Sequence, residues 1–344
     1  MLRLPPFEYH RPSSVGEVTA ILADQGPNAR VVAGGTDLWP NMKRRHQKAE
    51  TIVSLMAIPE LRSTTSDSHA KEVRIGATTS LSAVRQDSII QSRYPALARA
   101  VGSISSPPLR NMGTIGGNLC LDTRCTYYNQ TEGWRRSIDY CMKETGTICW
   151  VAPSSPRCWA HTASDSAPIL CALGARVRLQ SNTGDRLLPV SELFHNDGIT
   201  YLAKSPEELL TDLYLPAESS VKTCRSSFWK LRRRGSIDFA VLSVAAAFWF
   251  DDHDHVSAAS IYLGAVGSSP LPLEDLDNLV LGKPLTEEII DEIAKRARRL
   301  STPMDNTDFK AQWRSAMAER YTQAALREIA GLDPGLMTPN HAMV

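Results

Sequence analysis

The spacing of apolar side chains changes period several times along the chain. Val15, Val18, Ile21 and Leu22 recur at the three- and four-residue steps of a helix face, and Ser13 or Ser14 with Glu17 makes a capping box at its start. The pattern then contracts to strand-length apolar runs at 30–33, 51–55 and 73–77, the first of them ended by Gly34-Gly35. Helical spacing returns at 81–87 and 94–104, where Leu97, Ala98, Val101 and Ile104 share a face. Residues 110–119 read as a glycine-rich turn around a single apolar residue. Further on, 167–172 reads as a helix, 175–180 as a strand, and 187–194 and 208–215 as strands or mixed segments. Residues 227–231, 241–250 and 258–265 are strand-like, and helices are expected at 273–281, 286–300 and 308–331. Strands followed by a helical block predict a separate C-terminal α+β domain.

Residues 120–162 follow neither period. They hold Trp134, Trp150, Trp159, Tyr127, Tyr128 and Tyr140, and five of the seven cysteines. Irregular stretches of this length are functional or disordered, and the aromatic density opposes disorder. An odd cysteine count in 344 residues does not fit a secreted disulfide scaffold. The length itself predicts two or three domains. Thirty-eight Lys and Arg against 37 Asp and Glu leave no broad basic field for nucleic acid, so small molecules and proteins are the expected ligands. The first residues, with Glu8, His10 and early prolines, lack the apolar core of a signal peptide. The longest apolar run, 240–250, is about half of the roughly 20 residues that span a bilayer. A cytoplasmic protein with no membrane span is the expectation.

Two segments have the composition of phosphate cradles. Residues 33–37 (Ala-Gly-Gly-Thr-Asp) follow a strand, and 114–118 (Thr-Ile-Gly-Gly-Asn) repeat the glycine pair beside hydroxyl and amide groups. Adjacent glycines let backbone N–H groups approach an anion, although either pair alone is equally compatible with a tight turn. Neither matches a Rossmann or Walker pattern. Two such loops in one chain favour a shared dinucleotide.

The segments AGGTDLWP (33–40), IPEL (58–61), VRIGATTSL (73–81), LRNMGTIGGNL (109–119), ASDSAPILCALGA (163–175) and FWKLRRRGSIDFAVLSVAAA (228–247) occur in one order. Together they resemble the flavin-binding subunit of the molybdenum hydroxylases, the superfamily of xanthine and carbon monoxide dehydrogenases, over nearly the whole chain. The resemblance implies an α+β protein with a two-subdomain FAD-binding fold of the vanillyl-alcohol-oxidase/PCMH type. Residues 1–57 and 58–220 would form the subdomains, followed by a C-terminal α+β domain at 224–332 like that of the carbon monoxide dehydrogenase flavoprotein. FAD would lie between the two subdomains. Carried over position by position, the cofactor contacts are Val31, Ala33, Gly34, Gly35, Thr36, Asp37, Ile104, Thr114, Gly117, Asn118, Asp165, Leu210, Lys230 and Phe239. Asp165 would hydrogen-bond the cofactor, Lys230 would approach the flavin ring, and Phe239 would lie near the isoalloxazine. Read from the residues alone, a helix cap is the commoner role for a residue such as Asp165, and a solvated basic face the usual one for Lys230 beside Arg232, Arg233 and Arg234.

Most members of that family pass almost directly from the second glycine loop to the Ala-Ser-Asp motif, whereas this chain inserts about forty residues there. The insertion carries Cys125, Cys141, Cys149 and Cys158 in a C-x15-C-x7-C-x8-C pattern. It has no paired knuckles of the zinc type, and a reducing compartment disfavours disulfides. Spacing alone leaves an iron–sulfur site and plain thiols both open. The stretch 120–136 with the three later cysteines is similar to the insertion in the β subunits of 4-hydroxybenzoyl-CoA reductases. That similarity implies a [4Fe-4S] cluster on those four cysteines, with Cys120, Cys171 and Cys224 as bystanders. It further implies a large molybdopterin subunit and a small [2Fe-2S] subunit as partners in a dimer of heterotrimers, ferredoxin as electron donor, and no catalytic residue in this chain. The related alternative is the FAD subunit of a hydroxylase that oxidises a heterocycle or aldehyde. A stand-alone flavin oxidase ranks lower, because no His or Cys tether lies near the glycine loops.

Overall fold

The computed structural model describes residues 2–66, 72–217, 220 and 223–335. Part of the expected 58–220 subdomain and of its joint to the next domain therefore lies outside the described residues, as does Met1.

The N-terminal sheet consists of β1 (Glu8–His10), β2 (Ala29–Val32) and β3 (Thr51–Ser54), paired in parallel in the order β1-β3-β2. The helix Val15–Gln25 connects the first two strands. Ser14 caps it through the Glu17 N–H, while the Glu17 carboxylate accepts from the Ser13 N–H at 2.9 Å, so the capping box is shared between the two serines. Val18 and Leu22 on its buried face pack with Val53, Leu55 and Ile58.

The middle sheet is antiparallel and contains β4 (Thr64–Ser66), β5 (Val73–Gly76), β6 (Arg176–Ser181), β7 (Gly184–Pro189) and β8 (Leu209–Leu215), in the order β4-β5-β8-β6-β7. The short helices Leu81–Gln86, Ser88–Arg93 and Pro95–Gly102, together with Ser166–Ala172, share its core through Leu97, Val101, Ile169 and Leu213.

The C-terminal sheet contains β9 (Cys224–Leu231), β10 (Leu242–Phe250), β11 (Val256–Gly264) and β12 (Leu271–Pro272), in the order β12-β11-β10-β9. β10 is the long apolar run seen in the sequence, and it is apolar throughout because both faces are covered. Ala245 and Ala247 join the middle core, whereas Val244, Ala246 and Phe248 face the helices Glu287–Leu300 and Ala311–Ile329. The fully buried Arg314 fastens the second of these helices by donating to the carbonyls of Val241, Met304 and Ala265. No helix among the described residues is long and apolar enough to cross a membrane.

Two expectations are corrected. Residues 110–119 are helical rather than a turn: Pro107–Met112 is one helix, and Thr114 caps a second, Ile115–Leu119. The cap and close packing of Gly116 on Ala77 outweigh the low helix propensity of the glycines. In 273–281 only Asp277–Val280 is helical.

The insertion is almost wholly irregular, with one short helix, Glu132–Ser137. Its base is closed by a bridge in which Arg124 and His161 exchange backbone hydrogen bonds of 2.8 Å. His161 is buried, and the loss of water pushes its imidazole down to about 4. Between pH 6.5 and 4 the unfolded chain therefore binds the extra proton, so stability falls as pH falls through that window, by about 3 kcal/mol in all. The variant His161→Asn keeps a donor for the Thr162 carbonyl but cannot titrate. Urea unfolding at pH 7, 5.5 and 4 should show a shallower loss for the variant than for the native chain.

Candidate flavin and thiol sites

The two glycine loops meet. A Cβ on Gly34 would overlap the Met112 carbonyl, and one on Gly113 would lie 3.5 Å from Thr36 Oγ1. Residues 33–37 thus rest against the residues that lead into the second loop. Gly35 has φ +71, and a Cβ there would strike the Trp39 indole. In the second loop Thr114 Oγ1 accepts from the Gly117 N–H at 3.2 Å. Gly116 is buried against Ala77, whereas Gly117 is exposed with only Thr114 Oγ1 nearby. The glycines therefore divide the work: Gly34 and Gly116 allow close packing, and Gly117 leaves backbone open at the start of a helical turn.

Asn118 turns inward. Its Oδ1 accepts from Ser164 Oγ at 3.0 Å and from the N–H and Oγ of Ser166 at 3.2 and 2.6 Å. Ser164 Oγ accepts the Ala167 N–H and so caps the helix Ser166–Ala172, which leaves Asp165 free of that task. Asp165 Oδ2 instead accepts from Lys230 Nζ at 2.7 Å, with the two side chains only 4% and 3% exposed. Burial pushes the Asp165 carboxyl up and the Lys230 ammonium down, and their mutual attraction opposes both shifts. Lys230 also donates to the carbonyls of Ser103 and Asp238. The solvated-face reading of Lys230 therefore fails: Arg233 and Arg234 are exposed, and Lys230 is not. Asp165 Oδ1 is buried with no partner, an oriented acceptor waiting for a donor.

The remaining expected contacts occupy the margins of this arrangement. Ile104 follows Ser103 and packs into the middle core, Phe239 follows Asp238 and is 45% exposed, and Val31 precedes the first loop in β2. Leu210 lies in β8 within the middle core.

Arg124, which the sequence did not single out, ties these parts together. Its guanidinium pairs with Asp37 of the first loop and lies 4.8 Å from the centre of the Phe239 ring. Burial raises the Asp37 carboxyl, and Arg124 works against that rise. Arg124 is followed directly by Cys125, the first cysteine of the insertion.

Cys125, Cys141, Cys149 and Cys158 are buried free thiols that line one small chamber. Tyr127, Tyr128, Met142, Lys143, Trp150 and Val151 complete much of its wall. Burial pushes Cys125 up to about 12 and Cys158 up to about 11 and raises Cys141. Gly198, far outside the insertion, cups Cys158: a Cβ there would lie 2.6 Å from the sulfur. Among the described residues no group of three or more His, Cys, Asp or Glu is arranged to hold a metal ion. Cys120, Cys171 and Cys224 lie outside the chamber and pack on the middle core.

Comparison with known proteins agrees with this layout. Residues 5–218 match the FAD binding domain in molybdopterin dehydrogenase, and residues 226–329 match the CO dehydrogenase flavoprotein C-terminal domain. The carbon monoxide dehydrogenase medium chain of Hydrogenophaga pseudoflava is 28% identical, over 94% of this chain and 96% of its own. The xanthine dehydrogenase FAD-binding subunit of Escherichia coli O157:H7 is 23% identical over 93% and 94%. A solved carbon monoxide dehydrogenase from H. pseudoflava, lacking the Mo-pyranopterin moiety of its molybdenum cofactor, superposes with a TM-score of 0.78 at 27% identity, covering 94% of this chain and 97% of that one. The chain belongs to the family of FAD-binding medium subunits of the molybdenum hydroxylases.

Proposed function

We propose that this chain relays electrons between FAD and an additional iron–sulfur cluster held in its insertion, in a complex with a molybdopterin-bearing large subunit and a small [2Fe-2S] subunit, as a dimer of heterotrimers. The observation that carries the reading is the convergence of four buried thiols on one chamber, joined to the first glycine loop by Arg124. Four cysteines without paired CxxC knuckles suit a [4Fe-4S] cluster better than zinc. The FAD subdomains are assigned to 1–57 and 58–220, and the C-terminal domain to 224–332.

The residues fit FAD. The unpartnered Asp165 oxygen offers an acceptor, the side-chain-free surface at Gly117 allows close approach, and the first loop lies against the residues that lead into the second. Ala33, Gly34, Gly35, Thr36 and Asp37 would hold the cofactor from one side, and Thr114, Gly117 and Asn118 from the other. Lys230 has committed its three protons to protein acceptors, so it would act on the flavin through its charge and by orienting Asp165. FAD, when bound, supplies a carrier that exchanges electrons singly or in pairs. Substrate would be converted on the large subunit, with no described residue of this chain acting on it.

The relatives are dehydrogenases of carbon monoxide and xanthine, and they support an oxidising complex for a small molecule such as a heterocycle or aldehyde over a reductive one. The four-thiol chamber favours the second reading, ferredoxin-driven reductive dehydroxylation of a phenolic CoA ester in the manner of 4-hydroxybenzoyl-CoA reductase. A low-potential cluster would be the entry point for such electrons. Assay of the purified complex separates the two: viologen-driven loss of hydroxyl from 4-hydroxybenzoyl-CoA supports the reductive reading, and dye reduction by purines or aldehydes the oxidative one.

Anaerobically purified protein should carry flavin with about four iron and four sulfide per chain. Cys149→Ser should lose the iron and keep FAD, whereas stoichiometric zinc or an iron-free native protein would refute the cluster. Gly117→Val should lower flavin content by closing the open backbone, and unchanged flavin absorbance would count against that loop. Lys230→Met strands a buried carboxylate and should cost about 3–5 kcal/mol in urea unfolding. Adding Asp165→Asn should recover much of that loss without recovering flavin.

A further inference from the structure

Lys143 stands in the wall of the thiol chamber, two residues after Cys141. Its side chain is 5% exposed. Nζ donates to Asp122 at 2.8 Å, to Thr123 Oγ1 at 2.8 Å and to the Gly198 carbonyl, and lies 5.2 Å from the Tyr128 ring centre and 5.4 Å from that of Tyr201. Of the other buried cations nearby, Arg124 pairs with Asp37 and Arg135 is spent on Glu144 and on the carbonyls of Gln130, Arg44 and Arg45; neither lines the chamber. Lys143 is thus the cationic side chain among the chamber-lining residues, and it is paired with Asp122.

We propose that the Lys143–Asp122 pair sets the reduction potential of the group that the four thiolates hold. The inference rests on the cluster reading above. When a one-electron reductant adds an electron to that group, the chamber gains one negative charge and no proton moves. Coulomb attraction to the Lys143 ammonium favours the reduced state, and the Asp122 carboxylate opposes it. Burial makes both effects larger than they would be in water. A pair that merely tethered the loop to Gly198 would leave the potential unmoved, or would shift it alike whichever partner was removed.

The test is a dye-mediated redox titration of the intact purified complex, reduced with dithionite and followed by electron paramagnetic resonance. Lys143→Met should make the cluster about tenfold harder to reduce, which is 59 mV downward for a one-electron couple. Asp122→Asn should shift it upward, and Lys143→Arg should stay near the native value. Shifts of one sign in the Met and Asn variants, or none in either with iron retained, overturn the proposal. Loss of iron from both variants overturns it in favour of a tether, while retention in one lets that variant's sign decide. Native protein without iron refutes the cluster itself, and so is distinct from failure of the charge pair.

Discussion

The buried pair between Asp165 and Lys230 holds the largest part of the arrangement in place. Taking two charges out of water costs several kcal/mol each, and the cost is recovered only where geometry and further hydrogen bonds are good. Lys230 meets that condition through the carbonyls of Ser103 and Asp238. Because Lys230 belongs to β9 and Asp165 precedes the helix Ser166–Ala172, the pair forms only when the C-terminal sheet closes on the middle core. Closure fixes Ser103–Ile104 on one side and Asp238–Phe239 on the other. The neighbours of Asp165, Ser164 and Ser166, meanwhile hold Asn118 and with it the second glycine loop.

The insertion becomes ordered by a different route. With little regular structure, it relies on polar contacts both within itself and to the rest of the chain. Arg124 closes its base against His161 and reaches Asp37, the Thr126 N–H donates to the Asn306 carbonyl, Asn306 Nδ2 donates to the Trp159 carbonyl, and Lys143 donates to Gly198. These contacts engage all three sheet regions of the chain. The thiol chamber is consequently bonded to the first glycine loop through adjacent residues, Arg124 and Cys125, which is a fixed connection rather than a chance approach of two surfaces.

Local patterns in the sequence were enough for the strands and helices with clear periods, such as Val15–Gln25 and β10. They failed where tertiary contacts override local preference. Ile115–Leu119 is helical because Thr114 caps it and Ala77 accommodates Gly116, and no spacing rule contains the second fact. The capping reading of Asp165 failed because Ser164 takes that hydrogen bond. Arg124, Lys143 and Gly198 act across gaps of 87, 55 and 40 residues to Asp37, Gly198 and Cys158. Nothing in a single sequence marks such reach. The cysteine spacing was legible as a set of four, but their convergence was not.

The state of those thiols limits what they can do. A nucleophilic or disulfide-exchanging cysteine works as the thiolate, and such sites lower the thiol's pKa with cations, helix N-termini or exposure. Here burial does the reverse, holding Cys125 and Cys158 far above neutrality despite the nearby Lys143. At pH 7 they are poor nucleophiles, and both are buried. A ligand able to replace their protons must bring positive charge of its own, as iron does, and would release those protons on binding. The same burial that silences the thiols would then keep water from the bound group and strengthen the influence of each nearby charge upon it. On the cluster reading proposed above, four thiols and one cation in one chamber would serve to hold and tune an electron carrier rather than to carry out thiol chemistry.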